Sequence, residues 1–227
     1  MTFSYYGAKT KIASLYPEPE HDCIIEPFAG AAAYSLAHLD KTIFLNDLDD
    51  DIYETWRWLK EEATEKELLY FSKLEVGQDL RDLPIGRGHR NYLGYNASRG
   101  SAAPRNIITK WSAQRKEFPA LASTIEYRVK ETIKILPKIQ HFFLANKDYK
   151  DLPNLNATWF IDPPYQEQGK HYTESDINYE ELADFCATRR GQVIVCEQKG
   201  ASWLPFKPLV DIQGSRKKST EVYWTNS

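Results

Sequence analysis

The sequence predicts an α/β fold: a dinucleotide-type core interrupted by an inserted, mainly helical subdomain. Three observations carry this. A short apolar strand, a small-residue turn and an Ala/Leu run follow one another over residues 23–39, the order of a first βαβ unit. From about residue 54 to residue 137 the alternation of strands and helices stops, and turn-rich and helical patterns replace it. It resumes at Ile139 and runs on through Trp224. The expected division is a core of residues 1–54 and 138–227 with an insertion of residues 55–137, which a chain of 227 residues accommodates.

Taken in order, Ser4 to Tyr16 read as a loop entering a helix with Ile12, Leu15 and Tyr16 on one face. Lys9 falls at its start, where the helix dipole disfavours a cation, so an anionic partner is expected: a nearby acidic side chain or the carboxylate of a ligand. Pro17 and Pro19 close this segment. Cys23 to Pro27 is a buried strand, Phe28-Ala29-Gly30-Ala31-Ala32-Ala33 a turn that admits a ligand to the backbone, and a helix is expected through Leu39. The turn is not G-x-G-x-x-G, so a compact ligand suits it better than a pyrophosphate. A second strand, Thr42 to Leu45, ends in Asn46-Asp47. An acidic residue about 20 positions beyond the glycine turn is placed to hold ribose hydroxyls; Asp47 or Asp49 can also cap the helix Asp50 to Lys60, and both hold at once if Asp49 caps while Asp47 binds ribose.

Within the insertion an acidic helix is expected from Thr55 to Ser72, then turns around Gly77, Pro84, Gly86 and Gly88. Asn91 to Lys110 mixes Tyr, Asn, Ser and Arg on a flexible backbone, and basic helices carrying Trp111 and Arg115 to Lys138 complete it. The core then returns with strands Ile139 to Ala145, leading into Lys147-Asp148-Tyr149, and Ala157 to Ile161. A polar loop spans Gln166 to Ser175. Helix Tyr179 to Thr188 and strands Gln192 to Cys196, Pro208 to Ile212 and Thr220 to Trp224 follow, the last two joined by a basic loop, Gly214 to Lys218.

Composition narrows the function. No run reaches the length of a membrane span, and Met1 to Tyr5 has no basic head before an apolar core, so a cytoplasmic protein is expected. Cys23, Cys186 and Cys196 sit singly in apolar surroundings, and the five histidines lack ligand spacing, so neither a disulfide framework nor a metal site is expected. Net charge is −3, but Arg81 to Lys150 holds 14 Lys and Arg against 5 Asp and Glu, a local +9 that leaves −12 elsewhere. A basic block in an acidic chain is the footprint of a phosphate-binding insertion, although charge runs also occur as solvated surface. Its candidate contacts are Arg90, Asn91, Asn96, Ser98, Arg99, Arg105, Lys110 and Arg115, with Arg216 and Lys217 from the late basic loop.

The chemistry concentrates at Asp162-Pro163-Pro164-Tyr165. Two prolines cannot supply ladder donors, so the preceding strand ends at Asp162 and presents a carboxylate, a carbonyl and an aromatic ring at its carboxyl end. Such a set suits the planar exocyclic amine of a nucleobase. The Asp162 carboxylate and Pro163 carbonyl each accept one N–H and draw the nitrogen toward a pyramidal, nucleophilic geometry, while Tyr165 stacks on the base, worth about 1–3 kcal/mol. On these four residues alone a plain strand-ending turn, with Asp162 capping and Tyr165 covering apolar surface, is as good a reading.

In order, Tyr5-Tyr6-Gly7-Ala8-Lys9, Glu26-Pro27-Phe28-Ala29-Gly30, Asn46-Asp47 and Asp162-Pro163-Pro164-Tyr165 resemble the Dam-like N6-adenine DNA methyltransferases of the alpha group. The ending Gly214-Ser215-Arg216 with Glu221 to Asn226 looks like small phage-type members. The resemblance implies a Rossmann-like, S-adenosylmethionine-dependent methyltransferase core with an inserted target-recognition subdomain, in a bacterial cell or phage-infected host. It implies methyl transfer to adenine N6 in double-stranded DNA with the base flipped out, by a monomer or weak dimer, with no membrane and no metal. Tyr5, Lys9, Glu26, Pro27, Phe28, Ala29, Gly30, Asp47, Asp148, Tyr149 and Asp162 would hold the cofactor, with Lys9 near its carboxylate and Asp47 at its ribose; Asp162, Pro163, Pro164 and Tyr165 would be catalytic. The chain departs from the family at Ala32, where a second glycine is usual. RNA adenine-N6 or DNA cytosine-N4 transfer on the same core, and a binder without activity, are the alternatives.

Overall fold

A computed structural model of the chain describes residues 2–98, 100–109, 119–166, 177–213 and 218–227. Seven strands form one sheet: β1 (Cys23–Glu26), β2 (Thr42–Asn46), β3 (Phe143–Ala145), β4 (Ala157–Ile161), β5 (Gly191–Gln198), β6 (Lys207–Gln213) and β7 (Lys218–Thr225). Their spatial order is β3-β2-β1-β4-β5-β7-β6. The first five run parallel, and β7 lies antiparallel between β5 and β6. Chain direction across the sheet reverses between β1 and β4, and in a parallel sheet such a switch point opens a crevice at the carboxyl ends of the two strands. Both Glu26 and Asp162 stand there. Every residue of β4 is buried, as its predominantly apolar run requires of a strand covered on both faces, and the one polar side chain, Thr158, donates to Gln192.

Adjacent strand residues point to opposite faces, so the sheet seeds two apolar clusters. One gathers Ile25, Trp159, Ile161, Val193 and Val195 beneath α5 (Tyr179–Thr188), through Leu182 and Phe185. The other joins Ile24, Ile43 and Phe160 to Trp56, Tyr92 and Val129 from the inserted helices α1 (Asp50–Glu61), α3 (Arg87–Asn96) and α4 (Pro119–Ile135). Between them, α2 (Glu65–Leu68) is a single turn begun by Thr64, whose hydroxyl and the Glu67 carboxylate form a capping box. Helices α1 and α3 pack backbone to backbone: a Cβ on Gly88 would fall 2.3 Å from the Glu54 carbonyl and from Trp58 Cβ.

Several expected elements differ. The expected boundary after residue 54 falls inside α1, and Trp56, Trp58, Tyr92 and Tyr95 share one cluster with the sheet, so the described insertion residues are a layer on the core and have no separate core of their own. The single acidic helix expected over Thr55–Ser72 is three elements, because α1 ends at Glu61, Thr64 starts a new cap, and the 3₁₀ helix Leu69–Lys73 follows α2. The helix expected through Leu39 is only a 3₁₀ turn, Ser35–Ala37. Its backbone partners are replaced by side chains: Glu26 takes the Ser35 N–H, and Gly30 and Ala32 both adopt positive φ, 45° and 48°. Residues 4–16 likewise hold only the 3₁₀ turn Ala13–Leu15. The strand expected from Ile139 shrinks to Phe143–Ala145, since Ile139 and Phe142 are still spent on the turns that close α4.

No helix among the described residues is long and apolar enough to cross a membrane. Among the same residues no group of three or more His, Cys, Asp or Glu side chains is placed to hold a metal ion. Cys186 and Cys196 are buried thiols and Cys23 is partly buried.

Candidate active site

The glycine turn is pinned from both sides. After β2, Asp47 reaches across so that its Oδ2 accepts the Gly30 N–H at 2.9 Å and its Oδ1 the Asp49 N–H at 3.0 Å. Asp49 caps α1 through the Asp51 N–H at 2.8 Å, so of the two aspartates it is Asp49 that caps. The Gly30 carbonyl accepts the Trp56 indole N–H at 2.8 Å. A Cβ on Gly30 would meet the Tyr5 ring at 3.0 Å, so this close approach of backbone to ring needs glycine as well as the positive φ. Ala32 holds its left-handed conformation with a side chain only 1% exposed, a strain of about 1–2 kcal/mol that a glycine there would not carry.

Two carboxyls of this cleft are lifted by burial. Glu26 is 2% exposed and desolvation pushes it up to about 8, opposed by its bonds to Ser35. Desolvation pushes Asp47 up to about 7 against the Gly30 and Asp49 amides. Charge is therefore expensive in the cleft, and a cationic ligand would relieve it.

Beside them lies a four-part network around Lys9. Its Nζ meets Asp162 Oδ1 at 2.9 Å and Glu221 Oε1 at 3.7 Å, donates to the Gly7 carbonyl at 2.9 Å, and stands 4.8 Å from the centre of the Tyr165 ring. Glu221 Oε1 also accepts from the Tyr165 hydroxyl and, at 2.8 Å, from the Tyr16 hydroxyl. Burial works against the ammonium, yet Asp162 and Glu221 outweigh it and hold Lys9 above the ordinary lysine value, so it stays charged. Burial raises both carboxyls, with Lys9 opposing. Burial likewise keeps Tyr16 and Tyr165 protonated, as donors.

The structure brings together most of what the sequence singles out. Tyr5, Lys9, Glu26, Pro27, Phe28, Ala29, Gly30, Asp47, Asp148, Tyr149 and Asp162 all line one cleft, joined by Pro164. Tyr149 packs on Phe28 with ring centres 5.3 Å apart, and Asp148 caps its own short turn by accepting the Lys150 N–H at 3.0 Å. Pro163 is buried, and the Pro164 carbonyl accepts the Tyr179 hydroxyl at 2.7 Å. Tyr165 faces an adjoining cavity with Lys11, Gln198, Ser219 and Glu221. The anionic partner expected of Lys9 is an acidic side chain, Asp162.

The expected nucleic-acid contacts fare differently. Asn91, Asn96 and Ser98 are 4%, 1% and 2% exposed and spend their polar atoms indoors, which corrects their placement on an open, flexible segment. Asn91 donates to Asp51, Asn96 accepts from Arg128 and donates to the Tyr92 carbonyl, and Ser98 donates to the Tyr95 carbonyl. The reason is that Asn91–Asn96 belongs to α3, whose inward face carries them. Arg90 is partly buried and Arg105 exposed. Arg99, Lys110, Arg115, Arg216 and Lys217 lie outside the described residues, as do Trp111 and most of the loops expected at Gln166–Ser175 and Gly214–Lys218. Sequence reasoning missed Glu221 and Tyr16. A carboxylate beside the apolar run Val222 to Trp224 was a signal that it needs a partner, but one of its partners, Tyr16, is 205 positions away.

Compared with known proteins, residues 5–82, about a third of the chain, match the family model of the D12 class N6 adenine-specific DNA methyltransferases. No curated protein matches. Among solved structures, the chain is similar to yhhF from Escherichia coli, provisionally named a methyltransferase, at 9% identity and a TM-score of 0.36, covering 95% of this chain and 80% of that one. It is also similar to HI0767 from Haemophilus influenzae, provisionally named a methylase, at 10% identity and a TM-score of 0.34, covering 93% and 89%. Such scores describe a loose likeness of shape; the fold is defined by its own strand order.

Proposed function

We propose that the chain is an S-adenosylmethionine-dependent methyltransferase that modifies the exocyclic N6 of adenine in duplex DNA, with the base turned out of the helix. The observation that carries this reading is that two cavities share the wall formed by Tyr5 to Lys9, with Lys9 paired to Asp162 of the first. The cleft of the glycine turn measures about 190 Å³ and ends at Asp162. The second, of about 520 Å³, is more open and has Tyr165 and Glu221 in its wall; Tyr5 to Lys9 line both. Group transfer needs a donor and an acceptor brought to one point from separate sites, which this arrangement supports. The match of residues 5–82 supports adenine N6 as the acceptor.

The cleft's own chemistry suits the cofactor. Glu26 and Asp47 offer carboxyl groups to a ligand bearing ammonium and sulfonium charges and ribose hydroxyls. Phe28 and Tyr149 offer an aromatic wall for its adenine. When bound, S-adenosylmethionine supplies an electrophilic methyl group. The protein's part is positioning and charge: Asp162 and the Pro163 carbonyl accept the N–H groups of the target amine, and Tyr165 shelves the base. As the nitrogen gains the methyl group it becomes positive; the Asp162 carboxylate stabilises that charge and takes the released proton. The nitrogen itself attacks, so no covalent enzyme intermediate is needed.

The test is a nucleoside digest. Unmethylated duplex DNA and, separately, RNA are incubated with protein and S-adenosylmethionine, hydrolysed and read by mass spectrometry. N6-methyladenine from DNA alone supports the reading. N4-methylcytosine, or product from RNA alone, replaces the substrate, and cofactor binding without product makes the chain a binder.

A further inference from the structure

Lys9 stands where the target amine is expected. Its ammonium holds Asp162 Oδ1 at 2.9 Å and covers the Tyr165 ring at 4.8 Å, so one cation occupies both the acceptor and the shelf assigned to the base. It cannot withdraw into apolar surroundings, because a buried charge without a partner is strongly unfavourable. Among the described residues, the other carboxylate paired with it is Glu221, 5% exposed and 3.7 Å from Nζ. Reaching charge-assisted hydrogen-bond distance there takes a shift of about 1 Å.

We propose that Glu221 is a positioning residue that receives the Lys9 ammonium when the target amine takes its place at Asp162, an inference that rests on the methyltransferase reading above. The ammonium stays charged and paired throughout, no proton moves, and Asp162 is released as an anion. Glu221 also accepts from the Tyr165 hydroxyl, so the carboxylate that draws the cation away keeps the ring in position as a shelf. Tyr16 donates to the same oxygen.

The test compares full-length wild type, Glu221→Gln and Glu221→Asp in single-turnover methylation of unmethylated duplex DNA, with cofactor affinity measured directly and thermal melts to establish folding. Glu221→Gln keeps length and an acceptor oxygen for both tyrosines but loses the charge; Glu221→Asp keeps the charge one methylene short. Glu221→Gln should lower the single-turnover rate by roughly 10- to 100-fold with cofactor affinity unchanged, and Glu221→Asp should retain more activity than Glu221→Gln. A purely structural role gives the opposite order, because glutamine is the closer fit in shape; that order, or a Glu221→Gln rate equal to wild type, overturns the proposal. Should Glu221→Gln fail to fold, the ¹⁵N-labelled lysine signals of wild type supply the test. The buried Lys9 ammonium signal must shift on adding duplex DNA with S-adenosylhomocysteine, and an unmoved signal overturns the proposal. A wild type that methylates nothing overturns both readings, whereas an active wild type beside an unimpaired Glu221→Gln overturns this one alone.

Discussion

Replacing Lys9 with methionine should destabilise the fold by an amount that depends on pH. Methionine keeps an unbranched apolar stem of similar reach and removes only the ammonium. The Lys9 and Glu221 side chains are each 7% exposed and Asp162 is 21% exposed, so the variant leaves two largely buried carboxylates without their cation. Breaking a buried ion pair on one side costs about 3–5 kcal/mol. The orphaned groups recover part of that by binding protons, since burial already lifts both carboxyls and the loss of Lys9 lifts them further. With folded values above unfolded ones, the native variant binds more protons than the unfolded chain at every pH between the two. Its stability therefore falls as pH rises through that window, by up to about 1.4 kcal/mol per unit for each group. Urea unfolding at pH 5, 6, 7 and 8 should show a narrow gap to wild type at the acid end and the full loss at the alkaline end. A gap of constant size across that range would place the loss in the packing of the lysine stem and refute the electrostatic account.

Three further outcomes follow from the same geometry. Asp162→Asn keeps shape but not charge, and should cut methyl transfer by at least about 100-fold while calorimetry shows cofactor affinity within a few-fold of wild type; retained turnover with lost affinity would reverse the assignment. Glu26 has a folded value near 8, so wild type loses stability as pH rises from the ordinary carboxylate range through 8. Glu26→Gln keeps an acceptor for the Ser35 N–H and should be a few kcal/mol more stable than wild type at pH 9, a difference that vanishes toward pH 5 in thermal or urea melts. Gly88→Ala drives a methyl group into the Glu54 carbonyl and Trp58, and should cost about 1–3 kcal/mol beyond the roughly 1 kcal/mol that alanine gains in a helix; a variant as stable as wild type in urea would mean that α1 and α3 can separate at no cost.

Local patterns carried a large share of the architecture. The apolar runs that form β1, β2 and β4 and the periodic stretch that forms α5 are set by neighbours within a few positions, and each appears where those runs put it. The candidate cleft was legible for a related reason. In a parallel sheet, residues that follow strands converge on one edge, so Glu26, Asp47 and Asp162 meet although they lie far apart along the chain.

Other features turn on which distant group satisfies a buried polar atom, and no local pattern reports that. The Ala-rich stretch after Gly30 has good helix propensity, yet Asp47 holds the Gly30 amide before it and Glu26 the Ser35 amide at its end, and a turn is left. Asn91, Asn96 and Ser98 look like surface residues by type, but Asn91 is spent on Asp51 of α1, Asn96 on Arg128 and Ser98 on the Tyr95 carbonyl. The order of apolar runs and turns along the sequence determined that the chain builds an α/β sheet with carboxylates at the ends of its strands. Only the tertiary structure decided that Lys9 is shared between Asp162 and Glu221, because a buried ammonium is held by whichever anions the fold brings within reach, and one of these comes from the last strand.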